Sequence, residues 1–166
     1  MITSIKPNIY QLHFRNFGSC VYVLKINSKV ILIDTSSKSA KEELLNDLKT
    51  LKISPENVDV VILTHNHYDH IENLNLFKNT KTYLAEELNK NSIIKELPKM
   101  KIIETPGHTP ESKCFLYQDI LFSGDTIFHQ GGIGRMDLPG GSEEQMRESL
   151  KKLKKIKFKI LCPGHI

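Results

Sequence analysis

The stretch Thr64-His65-Asn66-His67-Tyr68-Asp69-His70 follows directly on the apolar run at residues 60–63. Such a run predicts a strand buried on both faces, and the end of a buried strand is a rigid place to mount ligands. Three imidazoles and a carboxylate so close together would be costly to bury without a cation. Because zinc and iron accept both ligand types, the H-x-H-x-D-H spacing predicts a metal site rather than a polar surface loop.

Three further candidate ligands each follow a glycine directly after a predicted strand. They are His108 in Pro106-Gly107-His108, Asp125 in Ser123-Gly124-Asp125 and His165 in Pro163-Gly164-His165. Glycine lets the backbone turn tightly at the edge of a sheet. Each residue alone is more often an ordinary turn residue, but the repeated context predicts that five histidines and two aspartates converge on one site. His13 and His129 lie outside this pattern.

The periodicity of the chain predicts an α/β fold. Alternating or β-branched segments predict strands at 9–14, 19–26, 29–34, 57–64, 80–84, 101–105, 112–117, 120–123 and 158–162. Apolar spacing predicts helices at 39–52, 71–77, 86–95 and 142–155, with Ser142 as the N-cap of the last one. A meander followed by alternating strands and helices favours two mixed sheets packed face to face, with helices on both outer faces.

The composition argues against a disordered, collagen-like, low-complexity or membrane-spanning protein. The chain has 166 residues, of which 39% are hydrophobic and 25% charged, as expected for a single globular domain. Apolar runs of four residues are far too short to span a membrane, and the N-terminus has no apolar leader segment, so we expect a cytoplasmic protein. The lysines of residues 151–159 predict a solvated helix face, since no aromatic residues interleave with them for nucleic-acid stacking.

The motifs resemble those of the metallo-β-lactamase-fold hydrolase superfamily over nearly the whole chain. The resemblance implies a single domain over residues 1–166, a four-layer αβ/βα sandwich of two mixed β-sheets and two divalent metal ions. It also implies a division of the ligands, with one ion held by His65, His67 and His108, the other by Asp69, His70 and His165, and both bridged by Asp125. Asp34 follows a predicted strand and matches a family residue that supports the metal loop, which is residues 64–70 here, without itself binding the metal. The glycine usual after the Asp-Thr pair is Ser36 in this sequence.

A glycine-rich segment from about residue 128 to 142 contains a second resemblance. Gly134-Arg135-Met136-Asp137-Leu138-Pro139-Gly140-Gly141 is similar to the G-R-x-D-x-P-G-G segment of small glyoxalase II-like hydrolases. A related segment occurs in persulfide dioxygenases. Arg135 and Asp137 could pair with each other and shape the loop, or Arg135 could face an anionic substrate.

Together these features predict a metal-dependent hydrolase of thioesters of the hydroxyacylglutathione type, acting through a hydroxide that bridges two metal ions. Zinc is expected, with iron or a mixed pair as alternatives, and Asp69 and Asp125 are the candidate catalytic carboxylates. The alternative is a persulfide dioxygenase-like enzyme with one iron held by His65, His108 and Asp125.

We expect a small-molecule substrate, no nucleic acid and no membrane, and the sequence leaves the oligomeric state open. Glyoxalase II proper resembles this sequence with a C-terminal helical domain added, so we expect a more open and less selective cleft here, with His165 close to a terminus that is free to fray.

Overall fold

The computed structural model describes residues 1–92 and 94–166, and these form two compact units. The first unit is Met1–Leu84 and the second is Ala85–Ile166. Each unit contains one β-sheet, so each is described separately below. That the chain is a single domain stays a prediction.

The first unit is built on a six-stranded mixed sheet with one main helix. Its strands are β1 (Ile2–Lys6), β2 (Ile9–Leu12), β3 (Val21–Ile26), β4 (Lys29–Ile33), β5 (Val60–Ile62) and β6 (Lys81–Tyr83), and they are hydrogen-bonded in that order. The first four strands are antiparallel, whereas β5 and β6 continue the sheet parallel to β4. The helices are α1 (Lys41–Thr50) and the single-turn α2 (Tyr68–Ile71).

Local sequence explains why this sheet forms. Asn27 and Ser28 have φ values of 51° and 61°, which is the backbone of a type I′ turn and matches the twist of the β3–β4 hairpin. Helix α1 is acidic in its first turn and buries Leu44 and Leu48. These two leucines belong to a buried cluster that also includes Leu12, Val21, Val23, Leu32 and Val61 of the sheet. Burial of this cluster therefore sets the position of β4 and β5, which carry residues of the candidate site at their ends.

The second unit holds a four-stranded mixed sheet and one long helix. Its strands are β7 (Lys101–Glu104), β8 (Lys113–Tyr117), β9 (Ile120–Gly124) and β10 (Ile160–Pro163), arranged in the order β10-β9-β8-β7 with β10 parallel to β9. Helix α3 (Glu143–Leu153) is preceded by Ser142, whose hydroxyl accepts a hydrogen bond from the backbone N–H of Gln145. Ser142 is therefore the N-cap, as predicted from the sequence.

The predicted α/β fold class with two mixed sheets is confirmed, and the differences from the sequence predictions are local. Strand β1 was not predicted, because Lys6 and Pro7 interrupt a segment with only a weak alternating pattern. The predicted helix at 86–95 is wrong among the described residues, where only the short 3-10 turn Ala85–Glu87 forms; residue 93 lies outside the described residues. No described helix is long and apolar enough to cross a membrane.

Ser36 occupies a backbone conformation that normally favours glycine. It has a φ of 64° and is completely buried, and its hydroxyl forms no hydrogen bond with any described residue. Gly18, in the loop between β2 and β3, lies directly against it. A Cβ on Gly18 would overlap the Oγ of Ser36 and would come within 2.9 Å of the Oγ of Ser37. The absence of a side chain at Gly18 therefore makes room for the serine.

We predict that Gly18→Ala lowers the free energy of unfolding by about 1–3 kcal/mol through overpacking against Ser36. In a Ser36→Gly background the same substitution should cost about 1 kcal/mol less, because the main clash is gone, while the contacts with Ser37 and the φ of 158° at Gly18, which disfavours a side chain, are left. Urea denaturation of the four metal-free proteins measures this cycle. Equal costs in both backgrounds would contradict the direct contact.

Candidate metal centre

The histidines of the metal loop are gathered by the end of β5 and the start of α2. His65 and His70 are buried and His67 is half-buried. The ring centroid of His65 lies 4.8 Å from that of His67 and 4.1 Å from that of His70. Asp69 is also buried, with 8% of its surface exposed. The structure thus brings the four candidate ligands of the first unit into one short loop at the edge of the sheet.

The carboxylate of Asp34 connects this loop to the end of β4. Its Oδ1 accepts the backbone N–H of Thr64 at 2.8 Å, and its Oδ2 accepts the Thr64 hydroxyl at 2.8 Å. The same Oδ2 lies 2.8 Å from Nδ1 of His70. Asp34 is buried and has a φ of 61°, a conformation that costs free energy in an aspartate. Its three hydrogen bonds compensate for that backbone strain.

These hydrogen bonds determine which ring nitrogens face away from the protein scaffold. An ionised carboxylate only accepts, so Nδ1 of His70 carries the proton and Nε2 carries the lone pair. The Thr64 hydroxyl has a single proton, which it donates to Asp34, so its oxygen accepts from Nδ1 of His65 at 3.1 Å. His65 is therefore also a tautomer with its lone pair on Nε2. In their neutral forms both imidazoles therefore present the Nε2 lone pair that a metal ion requires.

The backbone of the loop is held as firmly as its side chains. The carbonyl of His70 accepts both the N–H and the hydroxyl of Thr35, at 2.7 and 3.0 Å. The carbonyl of Asp69 accepts the N–H of Ser19 at 3.0 Å. Asn73, just after α2, donates to the carbonyls of Thr35 and Ser37. The loop is thus anchored to the segments that follow β4 and precede β3.

The second unit forms its own cluster around Asp125. Oδ2 of Asp125 lies 3.5 Å from Nε2 of His108 and 3.4 Å from Nε2 of His165. Both distances exceed the 2.7–3.2 Å of a normal N–H···O hydrogen bond. Nδ1 of His108 is 2.7 Å from the carbonyl oxygen of Arg135 and must donate to it, which leaves the lone pair on Nε2. A lone pair that faces a carboxylate at this distance is repulsive, and either a proton on Nε2 or a metal ion between the two atoms relieves it; two imidazoles and one carboxylate are a donor set that fits a metal ion.

Gly134 allows the glycine-rich loop to reach His108. A Cβ at this position would overlap the carbonyl oxygen of Asp125 and would lie 3.1 Å from Cγ of His108. Without a side chain, the loop passes close enough for the Arg135 carbonyl to contact the ring. The main chain of Arg135 therefore orients His108, a role that its side-chain chemistry gave no reason to expect.

The side chains of Arg135 and Asp137 form a bidentate ion pair with two nitrogen–oxygen distances of 2.7 Å. The two residues are 62% and 68% exposed. The hydrogen bonds from Arg135 lower the pKa of Asp137 to about 2. Pairing, one of the two alternatives left open by the sequence, is thus present in the structure, and a role toward substrate stays a hypothesis.

The cysteines offer no competing nucleophile. All three, Cys20, Cys114 and Cys162, are buried. Burial raises the pKa of the Cys114 thiol to about 11, which keeps it protonated near neutral pH. Metal-dependent chemistry at the histidine and aspartate clusters is therefore better supported than thiol chemistry.

Sequence comparison gives an independent view of the same residues. A model of the metallo-beta-lactamase superfamily matches residues 15–86 and 82–165. The probable metallo-hydrolase MJ0296 of Methanocaldococcus jannaschii is 38% identical over 143 residues, which cover 81% of this chain and 70% of that protein. A hydroxyacylglutathione hydrolase of Psychromonas ingrahamii is 30% identical over 138 residues, which cover 74% of this chain and 50% of that enzyme.

Structural comparison supports the fold. The crystal structure of ETHE1 from Myxococcus xanthus matches with a TM-score of 0.77 at 22% identity, covering 95% of this chain and 75% of that one. The family matched by the sequence comparison is the one that the H-x-H-x-D-H motif resembles. The chain spans about half of the hydroxyacylglutathione hydrolase that it matches.

We predict that Asp34→Asn weakens zinc binding about 10- to 100-fold. Asparagine replaces one of the two acceptor oxygens of Asp34 with an NH2 group, which only donates. At least one of the Thr64 and His70 donors therefore loses its acceptor, and the tautomers of His65 and His70 are no longer held. Competition with a chromophoric chelator measures the affinity, and circular dichroism checks the fold. Thr64→Ser keeps the hydroxyl and should bind zinc like the unmodified protein, whereas Thr64→Val should not. Equal affinities for the serine and valine variants would refute the tautomer argument.

We predict that Gly134→Ala lowers metal affinity at least tenfold, because its Cβ pushes the loop and the Arg135 carbonyl away from His108. Gly132→Ala is a matched control in the same loop. Gly132 has a φ of −63°, and the nearest atom to its added Cβ would be 3.3 Å away. Its affinity should stay within about twofold of the unmodified protein. Comparable losses in both variants would indicate a general effect on the loop.

Proposed function

Because the chain belongs to the metallo-beta-lactamase superfamily, we propose that it is a metal-dependent hydrolase acting on thioesters of the hydroxyacylglutathione type. The observation that carries this proposal is the pair of orienting hydrogen bonds at His70 and His108. Each leaves a lone pair on Nε2, the state in which imidazole binds a divalent cation. Hydrolysis converts the thioester and one water into a carboxylic acid and a thiol.

We assign the candidate ligands to two ions as the family resemblance implies. His65, His67 and His108 would hold one ion, Asp69, His70 and His165 the other, and Asp125 would contact both. The carboxylate of Asp125, close to two imidazole Nε2 atoms, supports its place in both sets. We propose zinc in both positions, with iron or a mixed pair as the alternative.

When bound, two divalent ions would supply a hydroxide nucleophile at neutral pH and a Lewis acid for the carbonyl oxygen. The chain's own residues would then guide protons and position the ligands. Asp69 is buried in the metal loop and would accept the hydrogen bond of the attacking water. Asp34 would act through His70, whose imidazole it holds in orientation.

The thioester assignment rests on two similarities. Relatives of this chain include hydroxyacylglutathione hydrolases, and the loop at 134–141 is similar to a segment of small glyoxalase II-like hydrolases. In the structure this loop orients His108, so the similarity falls on a part of the chain with a defined role. The acyl group, the thiol carrier and a location in the cytoplasm remain predictions.

Metal analysis combined with two assays tests the proposal. Protein purified without added metal is analysed for zinc and iron, and is then assayed for hydrolysis of S-lactoylglutathione and for oxygen uptake with glutathione persulfide. We expect close to two ions per chain and hydrolysis without oxygen uptake. Close to one iron per chain together with oxygen uptake would instead establish the persulfide dioxygenase-like alternative, with His65, His108 and Asp125 as its ligands.

His67→Ala separates the two-ion from the one-ion assignment. His67 belongs to the proposed two-ion set but not to the one-iron set, so we predict loss of bound metal and a decrease in thioester hydrolysis of at least 100-fold. His13→Ala is the matched control, since His13 lies outside the site and its hydrogen bonds, to Met1, involve only its main chain. Full metal content in His67→Ala would rule out the two-ion assignment.

A further inference from the structure

Two exposed aromatic side chains lie beside the metal loop of the first unit. Phe17 is 61% exposed and Tyr68 is 59% exposed. Their ring centroids are 6.2 Å apart and their planes are tilted by 32°. A single exposed hydrophobic residue is common on a protein surface, but two adjoining aromatic rings form a patch that can bind an apolar group. We call this pair the aromatic platform.

The platform is joined in sequence to candidate metal ligands. Tyr68 lies between His67 and Asp69, so its backbone is part of the metal loop. Phe17 lies two residues before Ser19, whose N–H donates to the carbonyl of Asp69 at 3.0 Å. The backbone of Tyr68 is thus part of the loop that carries His67 and Asp69, and the segment of Phe17 is hydrogen-bonded to that loop through Ser19.

The segment that carries Phe17 is held rigidly although its side chains are exposed. The carboxylate of Glu43 accepts the N–H groups of Arg15 and Asn16 at 3.0 and 2.9 Å, and these two hydrogen bonds lower the pKa of Glu43. The carbonyl of Phe17 itself accepts the hydroxyls of Ser37 and Ser39. Because the main chain that carries Phe17 is fixed by these hydrogen bonds, binding does not have to order that backbone, and the ring contacts contribute more fully to affinity.

We propose that the aromatic platform binds an apolar, aromatic or medium-chain acyl group of the thioester substrate and so makes the enzyme selective for such acyl groups. This inference rests on the proposed thioester hydrolysis and narrows its acyl group: among thioesters, hydroxyacyl ones included, those with an apolar or aromatic substituent on the acyl group are preferred to the lactoyl thioester. Two aromatic rings contribute apolar area and no charge, which suits the acyl part of the molecule better than a charged peptide thiol such as glutathione. The small, hydroxylated lactoyl group would gain little from this surface.

The kinetic test compares acyl groups on one thiol. Acetyl, lactoyl, hexanoyl and phenylacetyl thioesters of N-acetylcysteamine are assayed with the unmodified protein, Phe17→Ala, Tyr68→Ala and Tyr68→Phe. We expect the ratio of kcat/KM for phenylacetyl over acetyl to fall about tenfold in each alanine variant, and to be kept in Tyr68→Phe. Metal content is measured in every variant. An equal loss for all acyl groups would overturn the proposal, since it would indicate a structural role in the loop.

A binding test keeps the inference separate from the proposed activity. The zinc-loaded protein is titrated calorimetrically with S-benzyl and S-methyl thioethers of N-acetylcysteamine, which cannot be hydrolysed. We expect the benzyl compound to bind about tenfold more tightly, with this preference lost in Phe17→Ala. Equal binding of both compounds overturns the platform even if thioesters are hydrolysed. A benzyl preference that depends on Phe17, in a protein without thioesterase activity, supports the platform and refutes the proposed function.

Discussion

The carboxylate of Asp34 is the constraint on which the metal loop of the first unit depends. It lies at the end of β4 and accepts three hydrogen bonds from residues that follow β5. Removing it would leave the Thr64 and His70 donors buried without their acceptor, which costs far more than the hydrogen bonds contribute on balance. A left-handed φ at Asp34 is retained because these three bonds hold it.

The second unit also orients a candidate histidine ligand through its Nδ1, but with a different acceptor. There the acceptor for His108 is the main-chain carbonyl of Arg135, and the close approach depends on Gly134. The acceptor of His70 is a buried carboxylate at the end of a strand, whereas the acceptor of His108 is a main-chain carbonyl in a loop that passes close to the ring. The glycine at position 134 is thus required for this close approach, and just beyond it the exposed side chains of Arg135 and Asp137 pair with each other.

The ligand motif and the fold class could be predicted because both are local patterns. His65 to His70 follow a short apolar strand, and His108 and Asp125 each follow a glycine at a strand end. Thr64 and the carbonyl of Arg135 were missed because their roles depend on contacts between distant segments. Every residue has a carbonyl, so no sequence signal marks the one that orients a histidine. For Thr64, the only hint is a hydroxyl residue between a buried strand and the first histidine of the motif.

The hydrogen bonds behind the histidines also make the two proposed metal positions unequal. A charged acceptor strengthens a hydrogen bond and raises the basicity of the imidazole more than a neutral carbonyl does. His70 has the carboxylate of Asp34 behind it, whereas His108 has a carbonyl. In the proposed assignment His70 shares its ion with Asp69, so two carboxylates act on that position in addition to the shared Asp125. Under that proposed assignment, the position of Asp69 and His70 would be the more negatively charged and would attract a divalent ion more strongly.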